Sequence, residues 1–290
     1  MSDTIKACLW MLGAVASFIT MAIGGRVLAP TLDTFEIMTY RSLVGVVIVC
    51  GLLSLTGTWA QVARRHLGLH LLRNIGHFTG QNLWFAALAL IPLAQVFALE
   101  FTTPLWVLLL APIVLGERLN RVGVISALMG FVGILIVTRP GLLELTPGVL
   151  MAAGCAIGFA TSILMTRKLT RTETTGCILF YLTTMQLVMG VVMMGWDGDV
   201  ALPRAIDLPW VVLVGLAGLF AHYCYTSALA LAPATICAPV DFIRLPLIVV
   251  VGAVIFAEAV DPFVLLGAAL ILAANYLNIW YQSRPRRAAV

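Results

Sequence analysis

Ten apolar stretches follow one another along the chain, separated by short connections marked by charge, Pro or Gly, at approximately 7–25, 35–56, 71–90, 94–115, 122–138, 148–166, 175–195, 209–231, 235–257 and 262–281. Each is close to the length of about 20 residues that a helix needs to cross a bilayer. The chain is 61% hydrophobic and 10% charged, with a mean hydropathy of +1.05. A soluble domain carries about a quarter of its residues as charges, and polar groups are costly only where the surrounding solvent is apolar. These features predict an all-α integral membrane protein of ten transmembrane helices and exclude an ordinary soluble enzyme.

Lys6 and the apolar run that follows it lead into Arg26 with no small-residue cleavage site, so the first segment reads as a retained span. The six cysteines show no CxxC spacing and read as buried apolar residues. Four histidines, three of them between residues 66 and 77, show no spacing such as HExxH, and no metal or cofactor is expected. The basic tail with Arg284, Arg286 and Arg287 fits an anchor at lipid head groups, and no motif points to nucleic acid.

Counting Lys and Arg on alternating sides orients the chain, because short cytoplasmic loops are enriched in them. Twelve fall on one side: Lys6, Arg64, Arg65, Arg73, Arg118, Arg121, Arg167, Lys168, Arg171, Arg284, Arg286 and Arg287. Only three, Arg26, Arg139 and Arg204, fall on the other, while Arg41 and Arg244 lie within spans. Both termini are therefore expected in the cytoplasm, with a longest outer loop from Trp196 to Leu208.

A shift of 141 residues superposes Gly13 on Gly154, Phe18 on Phe159, Arg26 on Arg167 and Tyr40 on Tyr181. The same shift places Pro233 on Pro92, Asp241 on Glu100, Phe242 on Phe101 and Glu258 on Glu117. The predicted organisation is therefore a five-helix repeat over 1–141 and a second over 142–290 that ends in a short basic tail. Five is odd, so the second repeat enters the membrane from the opposite side, and inverted repeats of this kind commonly enclose a site at mid-membrane. Small residues at three- and four-residue steps, including Gly13 with Ala16, Gly154 with Gly158 and Gly123 with Ala127 and Gly130, read as helix-packing stripes.

Ionisable residues within a span normally face a cavity or a partner. Glu100, Asp241, Arg244 and Arg41 are the candidates, with Glu36 nearer an interface. Asp241 and Arg244, three apart, are spaced for an ion pair. Glu100 has no cation three or four positions away, so either Arg41 or Arg244 reaches it across the bundle or it sits in a wet cavity; left unpaired, it would be suited to proton exchange. His77, Gln81, Trp84, Trp106, Tyr181, His222 and Tyr223 are candidate cavity residues, since aromatic side chains suit a flat or partly apolar organic solute. Pro104, Pro239 and Pro246 interrupt the fourth and ninth segments as candidate gating hinges.

The run from Ala98 to Pro104, continuing through Leu115, Gly116, Glu117 and Arg118 to Gly123 and Gly130, with a degenerate second copy ending at Ala257 and Glu258, resembles the drug/metabolite transporter superfamily, in its ten-helix branch with two EamA domains. The resemblance implies a bacterial inner-membrane transporter working by alternating access. Its central cavity would be lined by spans one, three, four, six, eight and nine, with spans five and ten peripheral or at a homodimer face. The expected partners are membrane lipids and a small organic solute, with a proton as candidate coupling ion. The leading expectation is export of an amino acid or related compound; the alternative is uptake of a vitamin, nucleoside or S-adenosylmethionine-like solute. A membrane enzyme is the remote alternative, because no nucleophile, base or metal cluster is apparent.

Overall fold

The structure, a computed structural model, describes residues 2–116, 121–140, 144–196, 198–232, 237 and 240–282. Its helices are α1 (Asp3–Leu28), α2 (Thr34–Thr56), α3 (Leu67–Leu90), α4 (Leu93–Glu100), α5 (Thr103–Leu115), α6 (Arg121–Thr138), α7 (Pro147–Leu169), α8 (Thr175–Met193), α9 (Leu208–Leu231), α10 (Arg244–Ile255) and α11 (Pro262–Gln282). Their starts follow local chemistry. Ser2, Thr146 and Thr174 accept a backbone N–H as N-caps, and Asp33 with Glu36 forms a capping box at α2. Gly57 and Gly116 close α2 and α5 in the left-handed conformation. The tight hairpin expected at Ile91–Leu93 is present, with Pro92 opening α4; Pro233 of its counterpart lies outside the described residues, as do Asp197, Glu117, Arg118, Pro239 and the tail arginines.

Among the described residues, eight helices are long and apolar enough to cross a membrane, counting Leu93–Leu115 as one. The third predicted span departs from that pattern. His70, Arg73, Asn74, His77 and Gln81 recur every three or four residues along α3 and are buried, so this helix turns a polar face inward. Arg73, grouped with the loop cations by the charge count, lies inside α3 and donates to Thr166 Oγ1 and Asn74 Oδ1, each at 3.1 Å. The predicted segment 71–90 already contained Arg73 near its edge; the helix starts a turn earlier, at Leu67, and so puts Arg73 well inside.

The fourth and ninth segments are broken, and at matching points. Phe101 and Thr102 separate α4 from α5, and Phe242 and Ile243 form a turn before α10, the two breaks lying 141 residues apart. Pro104 and Pro246 do not kink continuous helices as expected from the sequence; each stands in the first turn of a new helix, where a missing N–H costs little. Thr102 and Thr103 hydroxyls donate to the carbonyls of Leu99 (2.6 Å) and Glu100 (2.7 Å), and Asn275 donates to that of Phe101 (2.6 Å). Backbone acceptors freed within the bundle are thereby satisfied.

The principal helix pairings are α1 with α9, α3 with α7, α2 with α8 and α6 with α11. At the α3–α7 crossing, a Cβ on Gly158 would lie 2.7 Å from Gly80 Cα, and at the α6–α11 crossing a Cβ on Gly133 would lie 2.9 Å from the Gly267 carbonyl. Backbones therefore meet directly, as small residues permit in lipid. The loop before α9 is pinned to α2: Ala201 donates its N–H to Glu36 and accepts from the Tyr40 hydroxyl at 2.7 Å. In the same loop, Arg204 beside Asp207 holds that carboxyl below the usual carboxylate range.

Candidate functional site

Glu100 is the last residue of α4, and Asp241 holds the equivalent place before the second break. Arg244, the first residue of α10, lies 3.0 Å from the Glu100 carboxylate and 3.4 Å from that of Asp241. Of the two cations open to Glu100 on sequence grounds, Arg244 is the one that reaches it. Trp84 Nε1 on α3 donates to the second Glu100 oxygen at 2.7 Å. Two carboxylates thus share one guanidinium.

Aromatic rings enclose that guanidinium. Its central carbon lies 4.8 Å from the Phe18 ring centroid, 5.2 Å from Phe97 and 4.7 Å from Phe101, all within cation–π range. Phe101 meets Phe242 edge-on at 5.7 Å, so the two breaks face each other. Trp84 and Phe97 pack edge-on at 5.9 Å. The centre is therefore built from spans one, three, four and nine, four of the six that the resemblance names.

Phe18 connects this centre to a second polar region. Its ring contacts His222 at 6.3 Å, and His222 contacts His77 at 5.4 Å. Beyond His222, α2, α8 and α9 enclose a small cavity lined by Arg41, Ser42, Thr183, Gln186, Gly218 and His222. Spans two and seven are absent from the lining that the resemblance implies, although Arg41 in the one and Tyr181 in the other were candidates from the sequence. Gly218 makes room there, since a Cβ on it would lie 2.6 Å from the Arg41 guanidinium. Arg41 is buried, donates to Met38 Sδ at 3.6 Å, and has no acidic partner among the described residues. Its hydrogen-bonding capacity is available to an electron-rich group.

Several buried polar atoms in these regions have no hydrogen-bond partner among the described residues: His77 Nε2, Gln81 Nε2, Gln186 Nε2, Asp241 Oδ1 and Arg244 Nε. Groups of this kind are rare in a packed core and are in keeping with a site that binds a polar solute. Other candidates fall elsewhere. Tyr223 is about half exposed and packs on Trp10; Tyr181 lies against His70 at 4.4 Å instead of lining the cavity; Trp106 is part-buried on α5. An aromatic residue type does not reveal which side of its helix faces the lipid. Residues not singled out from the sequence include Asn275, a polar residue in the last apolar span, and Phe97, besides Ser42, Thr183 and Gly218 of the cavity. Asn275, Ser42 and Thr183 carried a visible signal, as polar residues within apolar spans.

Comparison with known proteins matches the chain to the EamA-like transporter family twice, over residues 5–139 and 146–280. A riboflavin transporter of Brucella anthropi is 30% identical over 86% of this chain and 89% of its own length. An S-adenosylmethionine uptake transporter of Rickettsia prowazekii is 24% identical over 98% of this chain and 97% of its own. A riboflavin transporter of Vibrio cholerae is 26% identical over 98% and 96%. A solved crystal structure superposes with a TM-score of 0.66 at 20% identity, covering 95% of this chain and 96% of the other, and so shares its fold.

Proposed function

The chain belongs to the EamA-like transporter family, and from that premise we propose that it takes up a heteroaromatic, vitamin- or nucleoside-like solute by alternating access between two inverted five-helix repeats. The coarse function follows from the family: a multi-pass secondary transporter of a small organic solute in the bacterial inner membrane, not an enzyme. Amino-acid export, the leading expectation from the sequence, gives way to the uptake alternative. Relatives described as riboflavin transporters and S-adenosylmethionine uptake transporters favour the latter.

One observation carries the reading. Glu100 and Asp241, at the ends of two matching broken helices, share Arg244 within an aromatic enclosure. Rings can stack on a flat heterocycle, and the unpaired buried donors of the Arg41–His222 region can meet its carbonyls or a carboxylate. Two carboxylates against one guanidinium leave a surplus negative charge, which a proton or a cationic solute group neutralises. In this reading a proton is the coupling ion, Glu100 and Asp241 its carriers, and Pro104 and Pro246, beside the breaks, mark the hinges.

The inverted arrangement is supported by the helix pairings. A shift of 141 residues exchanges α1–α9 with α7–α3 and maps α2–α8 and α6–α11 onto themselves. The two family matches parallel a division at residue 141, and the lopsided Lys/Arg count supports cytoplasmic termini.

The test is uptake of labelled riboflavin, S-adenosylmethionine and an amino-acid panel into proteoliposomes, with and without a pH gradient. One of the two heteroaromatic solutes is expected to enter faster than into empty liposomes and to be competed by its unlabelled form. Glu100→Gln should slow entry by about tenfold or more, the scale of a charge-assisted hydrogen bond of roughly 1.5–3 kcal/mol. Transport of amino acids alone would remove the substrate assignment. An unaltered pH dependence in Glu100→Gln would remove the coupling role.

A further inference from the structure

At the end of the bundle that carries Arg64, Arg65 and Arg167, two pairs of side chains distant in sequence converge. His66 stands at the start of α3 and His70 one turn inside it. Glu173 lies in the connection after α7, and Cys177 is in the first turn of α8. The potential ligand atoms of His70, Glu173 and Cys177 all lie within 4.8 Å of one another. His66 Nε2 is 4.0 Å from the same Glu173 carboxylate.

We infer that His66, His70, Glu173 and Cys177 form a binding site for a borderline-soft divalent cation of the Zn²⁺ type. The donor set of two imidazoles, one thiolate and one carboxylate is one that Zn²⁺ takes in tetrahedral geometry. At ordinary Zn–N and Zn–S distances the ligand atoms of such a site stand roughly 3.3–3.8 Å apart, so the side chains of His70, Glu173 and Cys177 need to close by about 1 Å, and the His66 ring has to turn in beside Glu173 to complete the set.

His70 supplies an independent indication. It is fully buried, and neither ring nitrogen has a hydrogen-bond partner among the described residues. Its ring is held against Tyr181 at 4.4 Å, while its backbone carbonyl accepts from Asn74 at 2.8 Å. A buried imidazole with two unmet nitrogens is costly, and a metal bond at one of them lowers that cost.

Arg65 now pairs with Glu173 at 3.1 Å and donates to the Thr172 carbonyl at 2.6 Å. Its side chain is largely exposed, so it can swing into water when a cation takes the carboxylate. The Cys177 thiol donates weakly to the Ala63 carbonyl at 3.8 Å. On binding, the thiol loses its proton to solvent and the thiolate sulfur bonds the metal. The bound ion would tie the connection before α3 to the α7–α8 connection.

The experiment uses full-length protein in detergent, stripped with chelator and dialysed, in a background where Cys177 is the sole cysteine. Titration with Co²⁺ is expected to give a thiolate-to-cobalt charge-transfer band and the intense visible bands of a tetrahedral ion at one equivalent, both abolished by Zn²⁺. Cys177→Ser should remove the charge-transfer band, and His66→Ala, at a part-exposed position outside the buried core, should weaken binding by at least about tenfold. Size-exclusion and thermal-unfolding profiles matching the parent establish that the variants are folded. A folded parent without the charge-transfer band would overturn the site. So would a band unchanged in Cys177→Ser, or Co²⁺ affinity unchanged in His66→Ala.

Discussion

The Arg244 guanidinium lies against three aromatic rings and between two carboxylates, a combination that its planar, delocalised and weakly hydrated charge suits better than a lysine ammonium would. Its local pair with Asp241 was legible in the three-residue spacing. The bond to Glu100 was one of the alternatives the sequence left open, because the choice among them depends on the rotation of helices separated by a long stretch of chain. Ala257 is a smaller case of the same kind. Gly116 ends α5 at φ 68°, and Ala257, shifted by 141, takes φ 53° where the first repeat has glycine. A side chain in this left-handed region costs roughly 1–2 kcal/mol. Ala257→Gly is therefore expected to raise stability by about 1 kcal/mol after the entropy cost of glycine, read as a higher Tm in detergent. An unchanged or lower Tm would count against the argument.

Helices in this fold are shaped by what they must bring close together. The α3 helix combines a buried polar face with Gly76 and Gly80, which lie directly against α7, and a Cβ on Gly158 would meet Gly80 Cα at 2.7 Å and the Gly76 carbonyl at 2.8 Å. Backbone cannot yield as a side chain does. Gly158→Ala is expected to destabilise the protein by about 1–3 kcal/mol, whereas Gly51→Ala, with nothing within 4 Å of the added carbon, should stay within about 0.5 kcal/mol of the parent. Denaturant unfolding of both variants checks the contrast, and equal effects would rule out the close crossing. The Gly154–Gly158 stripe was visible as spacing, and so were the prolines near the breaks. Where each helix stops was not visible, because Phe101 and Phe242 carry no breaking signal of their own.

Across the whole molecule, the three cations on the sparsely basic side are each neutralised. Arg26 pairs with Glu258, Arg139 with Asp261 and Arg204 with Asp207. Arg26 also donates to the carbonyls of Leu88 and Ile91, while Glu258 accepts the Leu93 N–H at 2.8 Å. This cluster closes the α3–α4 hairpin onto the ends of α1 and α10. Glu258→Gln is expected to loosen it, speeding labelling of an Ile91→Cys probe by a membrane-impermeant maleimide by about tenfold, which corresponds to roughly 1.4 kcal/mol; an unchanged rate would mean that the cluster does not hold that end shut. Sequence alone determined the helical membrane class, because lipid responds to local hydropathy, and it carried the uneven distribution of basic residues and the 141-residue register of matching positions on which the proposed repeat rests. Tertiary structure decided that Glu100 meets Arg244, that Arg41 faces a cavity with His222, and that His70 comes beside Glu173 and Cys177. Those outcomes depend on helix rotation and on separations of a few ångströms between residues far apart in the chain, which no local pattern encodes.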